Sequence, residues 1–77
     1  MKPLTQKDLP ALASLIRYAT HLRVYILSSG ILILRKNVVV CQVEIFSNGK
    51  ALSTGIISGF MMRSYHKDPG WPWEIVI

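Results

Sequence analysis

The sequence predicts an α+β fold in which an N-terminal helix packs on one face of a four- to five-stranded antiparallel β-meander. Three observations predict it. Apolar residues first recur every three to four positions; from residue 22 onward they alternate or form short runs; and an Asn48-Gly49 pair follows the longest run. A period near 3.6 is typical of an amphipathic helix, a period of two of a strand, and Asn-Gly of a tight hairpin turn.

The helix is predicted over residues 9–20, where apolar residues fall on one face. The residues at this spacing are Leu9, Leu12, Ile16 and Ala19. Asp8 is the expected N-cap, and the proline two residues later fits the first turn, where its missing N–H costs nothing. A capping box that pairs Thr5 with Asp8 is the alternative.

Five strands are predicted after the helix, separated by turns rich in Gly, Asn, Ser and Pro. The predicted strands cover residues 22–27, 31–34, 38–46, 51–65 and 73–77. The fourth is long, so Gly55 or Gly59 is expected to mark a bulge or bend within it. The whole chain, residues 1–77, is expected to form one domain, because its length allows a single small core.

The predicted turn at Asn48-Gly49 is of type I′, with two central residues at positive φ, and it fixes the register of its two strands. Counting outward from this turn pairs Ile45 with Leu52, Val43 with Thr54, Cys41 with Ile56 and Val39 with Ser58. Residues opposite one another share a sheet face. The sequence therefore predicts a core that contains Ile45, Val43, Cys41, Leu52 and Ile56.

The side of the sheet away from the helix is expected to need another cover, since one helix can cover only one side. The apolar residues predicted there are Val40, Phe46, Ile57 and Met61. An apolar patch of this kind marks a protein interface. We expect docking on a larger protein or assembly, or a homodimer that also enlarges the small core. The alternatives are that the sheet curls or that the last strand folds over this side.

Nine Lys and Arg against four Asp and Glu give a net charge of +5, which favours anionic partners. The turns at 35–37 and 66–70 are expected at the same end of the meander. The basic and aromatic residues predicted near this end are Arg23, Arg35, Lys36, Arg63, Tyr65, His66, Lys67 and Trp71. Cations follow phosphates and rings stack on bases, so a nucleic-acid-binding module is the alternative function. The simpler explanation is that charged residues favour turns and that the tryptophans pack on the core.

No catalytic residue, metal ligand or cofactor site is predicted. Cys41 lies in an apolar strand row and is expected to be a buried structural thiol. His21 and His66 are far apart, with no Cys or carboxylate at ligand spacing. One enzyme class stays open, a metal-free ribonuclease in which His66 or His21 acts beside basic residues. Otherwise the sequence predicts a non-enzymatic protein.

Composition limits the class and location of the protein. Half of the residues are apolar (51%) and 17% are charged, which excludes a disordered chain. The one cysteine cannot form an internal disulfide, and no apolar stretch reaches the about 20 residues that a membrane span needs. A cytoplasmic protein is therefore expected. Its small size and simplicity suggest an accessory or inhibitor protein of a virus or mobile element.

Overall fold

The computed structural model describes residues 1–65 and 70–77. A 3-10 turn, Gln6–Asp8, precedes the first helix. The two helices are α1 (Leu9–Thr20) and α2 (Ser58–Tyr65). The strands are β1 (Lys2–Pro3), β2 (Arg23–Leu27), β3 (Gly30–Arg35), β4 (Val38–Ile45), β5 (Ala51–Thr54) and β6 (Trp73–Glu74). The predicted class is confirmed, since the N-terminal helix packs against a four-stranded antiparallel sheet ordered β2-β3-β4-β5.

The predicted helix has the expected bounds, but Asp8 does not act as its N-cap. The Asp8 carboxylate accepts hydrogen bonds from the Thr5 backbone N–H and hydroxyl, each at 2.9 Å. It makes no capping bond to α1. The pairing with Thr5 is therefore the arrangement that forms, and these hydrogen bonds, the backbone one first, hold the pKa of the Asp8 carboxyl below its ordinary value. The helix ends at His21, which has a φ of 58° and donates its N–H to the Arg17 carbonyl.

The turn between β4 and β5 is not of the predicted type I′. Gly49 has a φ of 85°, whereas Asn48 does not have a positive φ. The Gly49 N–H donates to the Phe46 carbonyl at 2.9 Å, and the Lys50 N–H donates to the Asn48 side-chain oxygen at 3.0 Å. A three-residue loop that ends in a left-handed glycine is the next most common hairpin connection. The Asn48 side chain stabilises it by accepting a backbone donor.

The longer loop shifts the register of the hairpin by one residue. Ile45 pairs with Ala51 and Val43 with Ser53, in place of the predicted partners Leu52 and Thr54. A one-residue shift moves every side chain to the other face. Ser53 is therefore buried, Leu52 is only half-buried, and its place in the predicted core is wrong.

A two-residue turn with both central residues at positive φ forms elsewhere, between β3 and β4. Lys36 has a φ of 51° and Asn37 of 65°, and the flanking residues Arg35 and Val38 pair with each other. This backbone is the one that the Asn48-Gly49 pair was expected to adopt. Here it forms without a glycine, directly between the paired residues Arg35 and Val38.

A β-bulge changes which residues of β4 face the core. Ile33 pairs with Cys41 but the next residue of β3, Leu34, pairs with Val39, so Val40 is the extra residue. Val40 is buried, at 8% exposure, while Val39 is 45% exposed. The predicted pairing placed Val39 in the row of Cys41 and Val43 and placed Val40 on the opposite side of the sheet. The bulge exchanges the sides of these two residues, so both placements are wrong.

The predicted fourth strand over residues 51–65 is also wrong, because β5 ends at Thr54 and α2 begins at Ser58. Gly55 makes the bend, with a φ of 122°. A Cβ built on it would lie 2.6 Å from the Val40 carbonyl oxygen, so its backbone packs directly on β4. The chain then turns away from the sheet, and Ile56, predicted in the core, is 83% exposed.

The last segment pairs at the sheet edge in parallel, rather than as a final antiparallel strand. Strand β6 pairs with β1, and Val76 exchanges backbone hydrogen bonds with Ala51 and Ser53 of β5. Trp71 and Trp73 are buried, with ring centroids 6.1 Å apart in an edge-to-face arrangement. The predicted turn at Asp68-Pro69-Gly70 lies mostly outside the described residues.

The core lies between the sheet and the two helices. Helix α1 packs on β2 and β3, and α2 packs on β4 and β5. The core side chains from the helices and the sheet include Leu9, Leu12, Ile16, Met61, Val24, Ile31, Ile33, Cys41 and Val43. Among the described residues, no helix is long and apolar enough to cross a membrane.

Gly55 and Gly49 provide a matched test of this fold, because both have positive φ but only Gly55 touches other backbone. We expect Gly55→Ala to lower the free energy of unfolding by about 3 kcal/mol or more, from strain and a backbone clash. Gly49→Ala has open space around it and should cost about 1 kcal/mol. Urea unfolding followed by circular dichroism measures both. Equal losses would contradict the close approach of Gly55 to β4.

Candidate binding surfaces

Both helices cover the same side of the sheet, which leaves the other side open. Residues that pair across the strands share a face, so the register assigns each side chain to a side. One row across the open side is Tyr25, Leu32, Gln42 and Thr54. The row on one side of it contains Arg23, Leu34 and Val39. The row on the other side contains Leu27, Glu44 and Leu52. We call these ten residues the open face.

The open face is apolar, partly exposed and nearly free of charge. Tyr25, Leu27 and Val39 are each between 45% and 48% exposed. The charged residues on it are Arg23 in one outer row and Glu44 in the other. A contiguous apolar surface with charges only near its margin is typical of a protein interface.

The four residues predicted for this interface do not share an exposed face. Met61 is fully buried in α2, Val40 is buried at the bulge, and Ile57 is half-buried. Phe46 is 42% exposed and lies in the turn after β4. The one-residue shift of register, the bulge and the unexpected helix α2 each place one or more of these four residues away from the predicted face. The sequence of β2 and β3 indicated the exposed apolar face better, because apolar residues occupy both alternating rows of these strands.

Basic side chains gather at the end of the sheet where α1 ends and β3 turns into β4. A surface concavity there is lined by Arg23, Arg35 and Lys36 together with Leu22 and Leu34. A second concavity shares His21, Leu22 and Arg23 with the first and adds Arg17 and Tyr25. We call Arg17, Arg23, Arg35 and Lys36 the basic end. In the part of the chain that the structure describes, no acidic residue lines either concavity.

The predicted nucleic-acid site is only partly assembled. Arg23, Arg35 and Lys36 come together, but Trp71 is 3% exposed and cannot offer its ring to a base. Tyr65 is half-buried, Arg63 lies on α2, and His66 and Lys67 lie outside the described residues. Arg17 was missed, because its position in the last turn of a helix gave no sign that it would lie beside Arg23.

An apolar groove of about 470 Å³ adjoins the basic end. It is lined by Leu22, Arg35, Val40, Ile56, Ile57 and Phe60, with Thr20 and Met61 beneath. Ile56 is 83% exposed and Phe60 57% exposed, so these two side chains form its outer rim. Leu22 and Arg35 line both this groove and the first basic concavity. The exposed apolar rim and the basic end are therefore continuous.

Side-chain donors bind one backbone carbonyl of β2 and one of the turn that follows it, and β2 pairs only with β3 among the described strands. The Arg17 guanidinium donates to the Val24 carbonyl, and the Gln6 side chain donates to the Ser28 carbonyl, each at 2.5 Å. Both donors come from the N-terminal helical segment that packs beside this strand. The bond to Val24 satisfies one backbone acceptor that this edge strand would otherwise present.

The Cys41 thiol is buried in β4, where its Sγ lies 3.3 Å from the Ser53 hydroxyl oxygen. Burial raises the pKa of the Cys41 thiol above its ordinary value, against a smaller opposing effect of the Ser53 hydrogen bond. A neutral buried thiol is a poor nucleophile. The structure therefore places Cys41 in the packing between sheet and helices.

The predicted histidine chemistry is not brought together within residues 1–65 and 70–77. His21 lies beside Arg17, Arg23 and Tyr25, and His66 is outside the described residues. In this described part of the chain, no three His, Cys, Asp or Glu side chains come close enough to hold a metal ion.

The pH dependence of stability tests the burial of Cys41. Above about pH 9 an unfolded chain loses the thiol proton while the folded chain keeps it, so the free energy of unfolding should fall as pH rises. We expect the wild type to lose up to about 1.4 kcal/mol per pH unit more than Cys41→Ala over this range. Urea unfolding at a series of pH values measures the two slopes. Parallel slopes would mean that the thiol ionises equally in both states.

The folded protein should also react slowly with a thiol reagent at neutral pH, and quickly once unfolded in urea, because the Sγ atom is covered.

Comparison with known protein families, with curated proteins and with solved structures finds no match for this chain.

Proposed function

We propose that this protein is a cytoplasmic, non-enzymatic accessory or inhibitor protein that docks on a larger protein or assembly through the open face. The observation that carries the proposal is the one-sided fold. Two helices cover one side of a four-stranded sheet, and the other side keeps Tyr25, Leu27 and Val39 about half exposed. Exposed apolar surface on a small protein costs solubility, and a partner that covers it removes this cost.

The stiffness of the open face supports tight docking. Its side chains project from hydrogen-bonded strands, and β3 and β4 have a paired strand on each side. A surface that is ordered before binding loses little conformational entropy when it is covered. Tyr25 lies at the edge of this surface, and tyrosine is among the residues that contribute most at interfaces.

The charges on the open face indicate the chemistry of the partner. Arg23 and Glu44 lie in the two outer rows, with the uncharged row of Tyr25 and Leu32 between them. We expect the partner to present a flat apolar surface with an acidic side chain opposite Arg23 and a basic one opposite Glu44.

A buried Cys41 and a dispersed set of acidic residues also support a binding function rather than catalysis.

Tyr25→Glu tests the open face, and Tyr18→Glu is its matched control. Tyr18 is 84% exposed on α1 and lies away from the open face. We expect the tagged wild type and Tyr18→Glu to capture the same partner from a nuclease-treated native lysate. Tyr25→Glu should reduce capture about tenfold or more, because it buries a charge against an apolar surface. Capture should persist at high salt, since the contact is mainly apolar.

Two outcomes would overturn the proposal. Equal capture by Tyr25→Glu, with an unfolding transition like that of the wild type, would place the partner on another surface. Light scattering is the second measurement. If the purified wild type is a dimer that Tyr25→Glu dissociates, the open face is covered by a second copy of the chain instead of a larger partner.

A further inference from the structure

We propose that the rim of the apolar groove, formed by Ile56 and Phe60, is a docking surface for an anionic lipid bilayer, with the basic end contacting the lipid headgroups. The rim itself contains no residue of the open face, and Arg23 is the one residue that the open face shares with the basic end. The inference does not rest on the proposed function, because its test variants lie at Ile56, Phe60 and Arg35.

The rim is held in place by backbone contacts, so the exposure of Ile56 is built into the fold. The Ile57 N–H donates to the Val40 carbonyl at 3.0 Å, and the Met61 N–H donates to the Ile57 carbonyl at 2.9 Å. Just before Ile56, the backbone of Gly55 packs on β4. With its neighbours anchored on both sides, the Ile56 side chain points outward at 83% exposure.

Several cations lie near the rim. Arg35 lines the groove itself, and Arg23 and Lys36 line the adjoining concavity. On α2 the Arg63 guanidinium reaches back to Gly59, where a Cβ would lie 3.5 Å from Nη1. Exposed apolar side chains beside several cations match an anionic bilayer, which offers acyl chains and negatively charged headgroups at the same surface.

The described acidic residues all lie elsewhere. Asp8 is bonded to Thr5 before α1, Glu44 pairs with Gly30 and Leu52 at the opposite end of the sheet, and Glu74 lines a concavity beside Lys50. The field at the rim is therefore positive among the described residues. A surface of one sign attracts anionic membranes, and this attraction weakens with salt.

A bilayer fits this surface better than a nucleic acid does. Ile56 gains nothing from phosphates or stacked bases, whereas it gains free energy on entering the acyl region. Of the aromatic rings predicted at the nucleic-acid site, that of Trp71 is buried and that of Tyr65 is half-buried. Phe60 is exposed, but on the rim it is paired with an aliphatic side chain and not with another ring.

Sedimentation with phosphatidylcholine vesicles, with and without phosphatidylserine, tests the inference on the purified protein. We expect the wild type to bind only the vesicles that contain phosphatidylserine, and less at high salt. The double variant Ile56→Ser/Phe60→Ser should bind about tenfold or more weakly. Arg35→Glu should weaken binding by more than the about fivefold expected for loss of one cation near the surface. Lys50→Glu, at the other end of the sheet, is the charge control and should change binding less.

A fluorescence experiment keeps the test independent of any loss of stability. In Phe60→Trp the new indole should shift its emission to shorter wavelength when phosphatidylserine vesicles are added. Tyr18→Trp, exposed on α1, should show no such shift. Failure of the wild type to bind phosphatidylserine vesicles, or undiminished binding by Ile56→Ser/Phe60→Ser, would overturn the inference. So would binding of a single-stranded oligonucleotide that depends on Arg35 but not on the rim, without vesicle binding.

Discussion

The close approach of Gly55 to β4 is the contact on which the rest of the architecture depends. It brings backbone against backbone at the Val40 bulge, where a side chain would not fit. The bulge turns Val40 inward, and the Val40 carbonyl accepts the Ile57 N–H at the start of the following segment. The chain therefore leaves the sheet after β5 and returns as α2 on the side that α1 already covers. Both the covered core and the uncovered face follow from this one bend.

The elements that were predicted correctly are those that depend on residues close together in the sequence. Helix α1 was predicted from its apolar spacing, strands β2 to β4 from their alternation, and the order of the meander from the turns between them. The hairpin register was predicted wrongly. The loop that forms has three residues, and the Asn48 side chain stabilises it by accepting the Lys50 N–H. The Asn-Gly pair alone therefore did not identify the loop length or the register.

The candidate surfaces were predictable to different degrees for the same reason. Arg23, Arg35 and Lys36 meet as expected, because alternating turns bring the ends of β2 and β3 together whatever the register. Val40 and Met61 were misplaced, since their side depends on the bulge and on an eight-residue helix in a stretch whose composition also suits a strand. Non-local contacts decide such segments, and tertiary context overrides weak propensity.

The contact between Arg17 and the Val24 carbonyl limits how this molecule can associate. Sheets often grow by adding a strand to an exposed edge, which requires free backbone donors and acceptors there. On β2 the Arg17 side chain already occupies the Val24 carbonyl, the Gln6 side chain occupies the Ser28 carbonyl in the following turn, and at the other edge of the sheet Val76 pairs with β5. Each edge therefore offers fewer free backbone groups to an added strand. Association through side chains is then favoured over strand addition, and contacts between side chains can distinguish one partner from others.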